Sequence, residues 1–358
     1  MAKPRSRRST TQPTAAPPYP PSWVDRLTGL LHRLPGRPWM YYSASALLII
    51  YISLQWVWFL RGDPLTSLVF FGLLGANIPY NLALIHYLDR RAAASLAEVR
   101  PAMSVSPSEY GRLEYELTTL PAWPTLAASL AGGAFIVLVW ATYPDPLEIP
   151  VYLVGLPPSP GSARMVLILG VVLWLTTGPL LYHTLRQLGA IARIYRDHAR
   201  IDLFHLRPLY AFSDLSARTA IGINVITYGY FLVTPQFLTD RSAIFAGLFL
   251  ILGVVAFVWP LWGMHRLLVR EKSRRQDEVS AQAKKIVTRL NQQLDRSRLG
   301  AMESLGRALA NLELERAWLA RIPTWPWQPE TLRGVLGAIL FPLVVWSLQQ
   351  ILSRVALR

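Results

Sequence analysis

The sequence predicts an all-α fold: a polytopic transmembrane helical bundle of six clear spans and a seventh, with a cytoplasmic helical hairpin. Three observations predict it. Six charge-free apolar runs occur at Met40–Leu60, Leu65–Leu88, Pro121–Tyr143, Met165–Leu185, Ala220–Leu238 and Ala243–Met264. The composition is 52 % hydrophobic and only 16 % charged. The basic residues cluster between alternate pairs of runs. A hydrocarbon core of roughly 30 Å takes about 20 helical residues, and a charge at its centre costs about 2.5–3.5 kcal/mol on insertion scales. Charge-free runs of this length therefore suit lipid better than the interior of a large soluble protein. The seventh run, Val335–Leu352, is shorter and carries Pro342, Ser347, Gln349 and Gln350.

Orientation follows from Lys and Arg, which resist translocation. Residues 1–39 hold Lys3, Arg5, Arg7, Arg8, Arg26, Arg33 and Arg37 against the single acid Asp25, whereas the turns after the first, third and fifth runs carry only Arg61, Arg164 and Arg241. The amino terminus and the even-numbered connections are thus expected in the cytoplasm, at a prokaryotic inner membrane. The net charge of +15 is explained by this bias and by anionic lipid, without nucleic acid. No aromatic interleaving or recognisable module accompanies the basic tail, so no nucleic-acid partner is expected. The chain has no cysteine, which excludes disulfides, thiolate metal sites and thiol nucleophiles.

Taken in order, residues 1–22 are rich in Pro, Ser, Thr and Arg with little to bury, and read as a disordered tail without the apolar stretch of a signal peptide. Residues 23–34 place Trp23, Leu27, Leu30, Leu31 and Leu34 on one helical face, an amphipathic helix lying in the headgroup layer until Pro35-Gly36-Arg37-Pro38 stops it. Residues 40–264 form the six-span membrane domain as three hairpins. Ser106-Pro107-Ser108-Glu109 is a capping box, so a helix is expected from Pro107 to about Leu120. Arg186–Arg200 extends the fourth run, and Ile201–Arg218 reads as a linker along the membrane surface.

Residues 265–322 are charged and helical. Val287, Leu290 and Leu294, then Met302, Leu305, Leu309 and Leu312, recur three and four apart, the spacing of a coiled-coil self-association seam. The two halves are out of register across Arg298–Ala301. An unbroken helix would carry Ile322 roughly 80 Å from the bilayer, yet Ile322-Pro323-Thr324-Trp325-Pro326-Trp327 suits the interface. A turn near Gly300 and an antiparallel hairpin resolve the conflict; a straight stalk is the alternative.

Two groups of polar residues are candidates for function. Asn77, Pro79 and Asn81, with Asn224, either line a pore at a broken helix or bond neighbouring helices, and packing is the commoner role. His86, His183 and His265 stand at three span ends in similar settings, which suggests an internal repeat. They either bind haem or sit in an aromatic belt where a partly positive side chain suits a helix carboxyl terminus; the belt is favoured, and no cofactor is expected. No phosphate-cradling loop, metal-ligand pair or nucleophile elbow occurs, so a non-enzymatic role is expected.

The ending Pro260-Leu-Trp-Gly-Met-His265, the Glu271-Lys272 pair after it and the late Trp325-Pro326-Trp327-Gln328-Pro329 segment resemble multi-spanning prokaryotic membrane proteins with no established activity. The resemblance covers roughly the last third of the chain and implies no chemistry. The expected function is that of a scaffold or signal-relay protein acting through its cytoplasmic helices on a homo-oligomer or a cytoplasmic protein partner, with the lipid bilayer as solvent. A channel or facilitative transporter is the second expectation, and a haem-dependent membrane enzyme the third.

Overall fold

A computed structural model describes residues 17–61, 64–149, 156–198, 203, 210–233, 242–294 and 299–356, with side chains described for most of them. Ten α-helices account for nearly all of it: α1 Trp23–Arg33, α2 Pro38–Phe59, α3 Pro64–Val99, α4 Pro107–Thr118, α5 Ala122–Ala141, α6 Pro160–His198, α7 Ala211–Val233, α8 Ser242–Leu294, α9 Leu299–Arg321 and α10 Pro329–Ala356. A 3-10 turn, Arg100–Ala102, follows α3.

Four helices among the described residues are long and apolar enough to cross a membrane: α2, α5, α6, and α8 within Leu250–Gln292. Against the expected six runs and a seventh, four spans are thus shown among the described residues, on the Met40–Leu60, Pro121–Tyr143, Met165–Leu185 and Ala243–Met264 runs. The other three runs lie in helices whose side chains are only partly described. In α3, the helix of the Leu65–Leu88 run, the side chains of residues 64–70 lie outside the described residues. The Ala220–Leu238 run ends on residues outside the described set, and its helix α7 begins with Ser213, Asp214, Ser216, Arg218 and Thr219. The late run lies in α10, which carries Pro342, Ser347, Gln349 and Gln350.

The chain divides into two compact units, Met1–Ala93 with Val105–Gln187, and Ala94–Ser104 with Leu188–Arg358; the boundary falls inside α3 and α6. In the first unit Phe71, Ile85, Leu88, Leu117 and Leu120 are fully buried. Helices α5 and α6 touch backbone to backbone: a Cβ added at Gly132 would stand 2.2 Å from the Trp174 carbonyl oxygen, and one at Gly178 would stand 2.1 Å from that of Ala128. Small residues spaced four apart permit that approach, as in packed membrane helices. Helix α2, by contrast, buries only Ser53 and Val57, and exposes Leu47, Leu48, Tyr51, Ile52, Trp56, Trp58 and Phe59. That surface suits lipid rather than water.

The amino-terminal tail needs correction where it is described; residues 1–16 lie outside the described residues. Pro17–Ser22 is a fixed strap, not disordered chain. Ser22 N–H donates to the Leu120 carbonyl (2.9 Å) and Ala122 N–H to that of Pro20 (3.1 Å), an isolated antiparallel bridge. Proline-rich chain is already extended and loses little entropy on being fixed. Ser22 and Asp25 then form a capping box that starts α1, and Trp23 Nε1 donates to Ser129 Oγ (3.1 Å). Val24 is fully buried while Leu30 and Leu34 are exposed, so α1 is seated on the unit by its first turn and presents its second half outward. The Ser106 cap behaves as expected: its Oγ accepts from Glu109 N–H (3.2 Å), and α4 follows.

In the second unit α7 packs on α8 and α10, and α8 packs on α9. Tyr195 is buried edge-on against Phe212 (5.2 Å), and Ser95 Oγ donates to the Ala211 carbonyl (3.1 Å). Helix α8 runs 53 residues without interruption, from an apolar first half into a charged second half. Its partner α9 returns antiparallel, because Lys272 reaches Ala320 and Ile322 at the far end of α9. The turn expected near Gly300 involves residues 295–298, outside the described residues.

Candidate functional site

The sites the structure assembles are polar clusters in the first unit and an aromatic clasp in the second. In the first unit, Asp89 leaves α3 just beyond its apolar stretch and meets His183 of α6, Oδ1 to Nε2 at 2.8 Å. A carboxylate can only accept here, so Nε2 carries the hydrogen and Nδ1 holds a lone pair. The pair is largely enclosed, with 3 % of the His183 side chain and 17 % of Asp89 exposed. Burial pushes the Asp89 carboxyl above the usual carboxylate range, and His183 opposes the shift. One turn on, Gln187 Nε2 donates to the Leu117 carbonyl (3.2 Å).

Three buried atoms on this turn of α6 find no hydrogen-bond partner among the described residues: His183 Nδ1, Thr184 Oγ1 and Gln187 Oε1. Each such atom costs about 1–3 kcal/mol, so the turn is expensive to keep dry.

Beside it, Arg186 donates to the Glu116 carbonyl (2.6 Å), the Thr119 carbonyl (2.9 Å) and the Tyr19 hydroxyl (2.5 Å). The guanidinium thus caps the carbonyl end of α4, where a positive charge suits the helix dipole, and holds the amino-terminal strap. Tyr115 completes the clamp by donating to the Tyr19 carbonyl (2.8 Å). A further pair stands where α1, α2 and α3 meet: His32 Nε2 faces His86 Nε2 at 2.7 Å, and the Tyr42 hydroxyl lies 3.1 Å from His86 Nδ1.

In the second unit four rings stack in a row. His265 lies flat on Trp325 (4.0 Å, 12°), Trp325 on Trp327 (4.3 Å, 11°) and Trp327 on Phe257 (5.4 Å, 19°), while Trp262 meets Trp325 edge-on. His265 Nδ1 donates to the Thr324 carbonyl (3.0 Å). Two turns along α8, Lys272 Nζ donates to the carbonyls of Ala320 (2.9 Å) and Ile322 (2.8 Å). Phe257, Leu261, His265, Leu268 and Lys272 recur three and four apart, so one face of α8 grips the whole α9–α10 connection.

The sequence-derived candidates fall as follows. Asn81 Nδ2 donates to Thr176 Oγ1 (3.2 Å) and Thr177 Oγ1 (3.0 Å), joining α3 to α6. Asn77 is buried, and Pro79 sits inside an uninterrupted helix, which sides with the packing role over the broken-helix alternative. Asn224 donates to its own helix at the Ala220 carbonyl (2.9 Å); Gly253 of α8 leaves it room, since a Cβ there would fall 2.0 Å from Asn224 Nδ2. His86, His183 and His265 have three different sets of partners, and no group of three or more His, Cys, Asp or Glu able to hold a metal occurs among the described residues.

Along the seam, Leu290, Leu305, Leu309 and Leu312 are half-buried. Val287 is 42 % exposed, and Ile286 is the half-buried residue at that point. The side chains of Leu294 and Met302 lie outside the described residues. The inward row on α8 is Gln276, Val279, Ala283, Ile286 and Leu290, an unbroken three-four alternation one residue out of step with Val287.

Asp89, Tyr19, Arg186 and Gln187 are polar-site members that sequence reasoning missed. Asp89 and Arg186 were legible only as span-end charges, and nothing local marks their burial. Comparison with protein-family models, curated proteins and solved structures finds no match.

Proposed function

We propose that the chain is an integral protein of a prokaryotic inner membrane, amino terminus in the cytoplasm, that works as a scaffold or relay through its α8–α9 hairpin. One observation carries this reading. Helix α8 joins an apolar, span-length half to a charged half with no interruption, and the aromatic stack and Lys272 fasten the returning chain to it. A continuous helix transmits rotation and tilt from lipid to the hairpin tip, because each turn is fixed to the next by hydrogen bonds. The hairpin also exposes apolar side chains, Leu314 at 70 % and Trp318 at 41 %, of the kind that an assembly partner would cover. The channel reading is weaker, since the Asn81 amide is spent on Thr176 and Thr177 rather than offered to a substrate.

Photo-crosslinking in intact membranes tests the proposal, with a photoreactive side chain introduced at Val287, Leu314 or Trp318. A defined adduct, to a second copy or to another protein, is expected from at least one position. No adduct from any of the three would remove the reading.

A further inference from the structure

We propose that His32 and His86 form a two-imidazole binding site for a divalent transition-metal ion of the zinc, nickel or copper class, at the rim of the first unit. The two Nε2 atoms come from α1 and α3, 54 positions apart, and face each other at 2.7 Å with their rings steeply inclined at 76°. At that distance one Nε2–H donates to the lone pair of the other ring, so both nitrogens are aimed at one shared point. The shared hydrogen fills that point as it stands, and a metal ion takes its place if the rings part slightly. Zinc bound at about 2.0–2.1 Å to each nitrogen in tetrahedral geometry sets the nitrogens roughly 3.3 Å apart, so the required movement is about 0.6 Å.

The site can make that movement. His32 sits on the exposed last turn of α1, and the chain leaves it through Leu34-Pro35-Gly36, where Gly36 takes a φ of +102° that other residues avoid. The first turn of α1 stays pinned by the Ser22–Asp25 box and by Trp23 on Ser129, so the second imidazole is delivered to the same place each time.

The outer partner is also in place. Tyr42 Oη lies 3.1 Å from His86 Nδ1, as the non-ligating nitrogen of a metal-bound imidazole ordinarily finds a hydrogen-bond acceptor that fixes its tautomer. With Nδ1–H donating to Tyr42, the Nε2 lone pair of His86 points at His32. His86 is buried and His32 exposed, which leaves a water-facing side where solvent completes the coordination. Imidazole nitrogens favour zinc, nickel and copper over magnesium or calcium. Arg90 acts on His86 and opposes any cation there, whereas Asp89 lies near Tyr42 and favours one. A metal bound here would lock the outward end of α1 to α3.

The test uses the untagged full-length chain in detergent, stripped with a chelator and titrated with zinc chloride at mildly alkaline pH, where protons do not compete for the rings. Zinc should raise the thermal unfolding midpoint, and the rise should vanish in His32→Gln, an exposed position whose change leaves the fold intact by circular dichroism. Tyr42→Phe should weaken zinc binding about 10- to 100-fold. Copper bound in place of zinc should show superhyperfine coupling to two nitrogens in its paramagnetic resonance spectrum, and to one or none in His32→Gln. An unchanged midpoint, an equal rise in His32→Gln, or a response to pH alone would each overturn the metal assignment.

Discussion

Replacing Gly178 by alanine should destabilise the protein, although the same change made elsewhere in helix α6 should not. At Gly178 the new Cβ would lie 2.1 Å from the Ala128 carbonyl oxygen, whereas real Cβ atoms essentially never come within 3.0 Å of another heavy atom. Helices α5 and α6 must therefore separate by roughly 1 Å at the crossing, and overpacking of this kind costs about 1–3 kcal/mol. A gap of about 1 Å also forfeits a quarter to a half of each dispersion well of about 0.1–0.2 kcal/mol; over roughly 20 atom pairs that is about 1 kcal/mol more. Helix propensity works in the opposite direction by about 1 kcal/mol. The net expectation for Gly178→Ala is a loss of about 2 kcal/mol.

At Gly189 in the same helix nothing lies within 4 Å of an added Cβ, so Gly189→Ala keeps only the propensity gain of up to about 1 kcal/mol. The assay is unfolding by graded sodium dodecyl sulfate in mixed micelles, followed by circular dichroism, on both variants and the parent. Midpoints that coincide for the two variants would refute the backbone contact between α5 and α6.

Lys272→Met should release the far end of α9, at a cost of about 1–3 kcal/mol for two charge-assisted bonds, and hydrogen exchange should accelerate over 316–327 but not in α5. Arg186→Met should free the strap, with a protease cutting near Pro17–Ser22 in the variant and not in the parent. Asp89→Asn should flatten the pH dependence of stability. The raised carboxyl holds its proton more tightly in the native state, so its contribution is fully present below the ordinary carboxylate value of about 4 and is lost as pH rises through the raised value. Parent and variant unfolding compared across that window should diverge, and parallel curves would dismiss the Asp89 shift.

Local signals were read well from the sequence, and contacts between distant segments were not. The Ser106 N-cap and the Trp23 helix depend on neighbours three or four residues away, and both appear where the pattern places them, α1 ending one residue early. Of the apolar runs, four are shown as span-length helices, and the other three fall on helices whose side chains are only partly described. The tail was misjudged because its composition hides one anchor: Tyr19 is held by Arg186, 167 positions away. Burial of Asp89 is likewise invisible locally, since an acid just past a span normally faces water. At one seam position the spacing selects Val287 where Ile286 faces inward, because the two are equally apolar and only the packing of α9 chooses between them.

The unbroken length of α8 makes it a lever arm. From His265 to Leu294 it extends roughly 45 Å at 1.5 Å per residue, so a reorientation of about 5° in the bilayer sweeps the tip through about 4 Å. Changes of tilt on that scale accompany modest differences in membrane thickness, which gives the tip a readable displacement from a cause as diffuse as lipid composition.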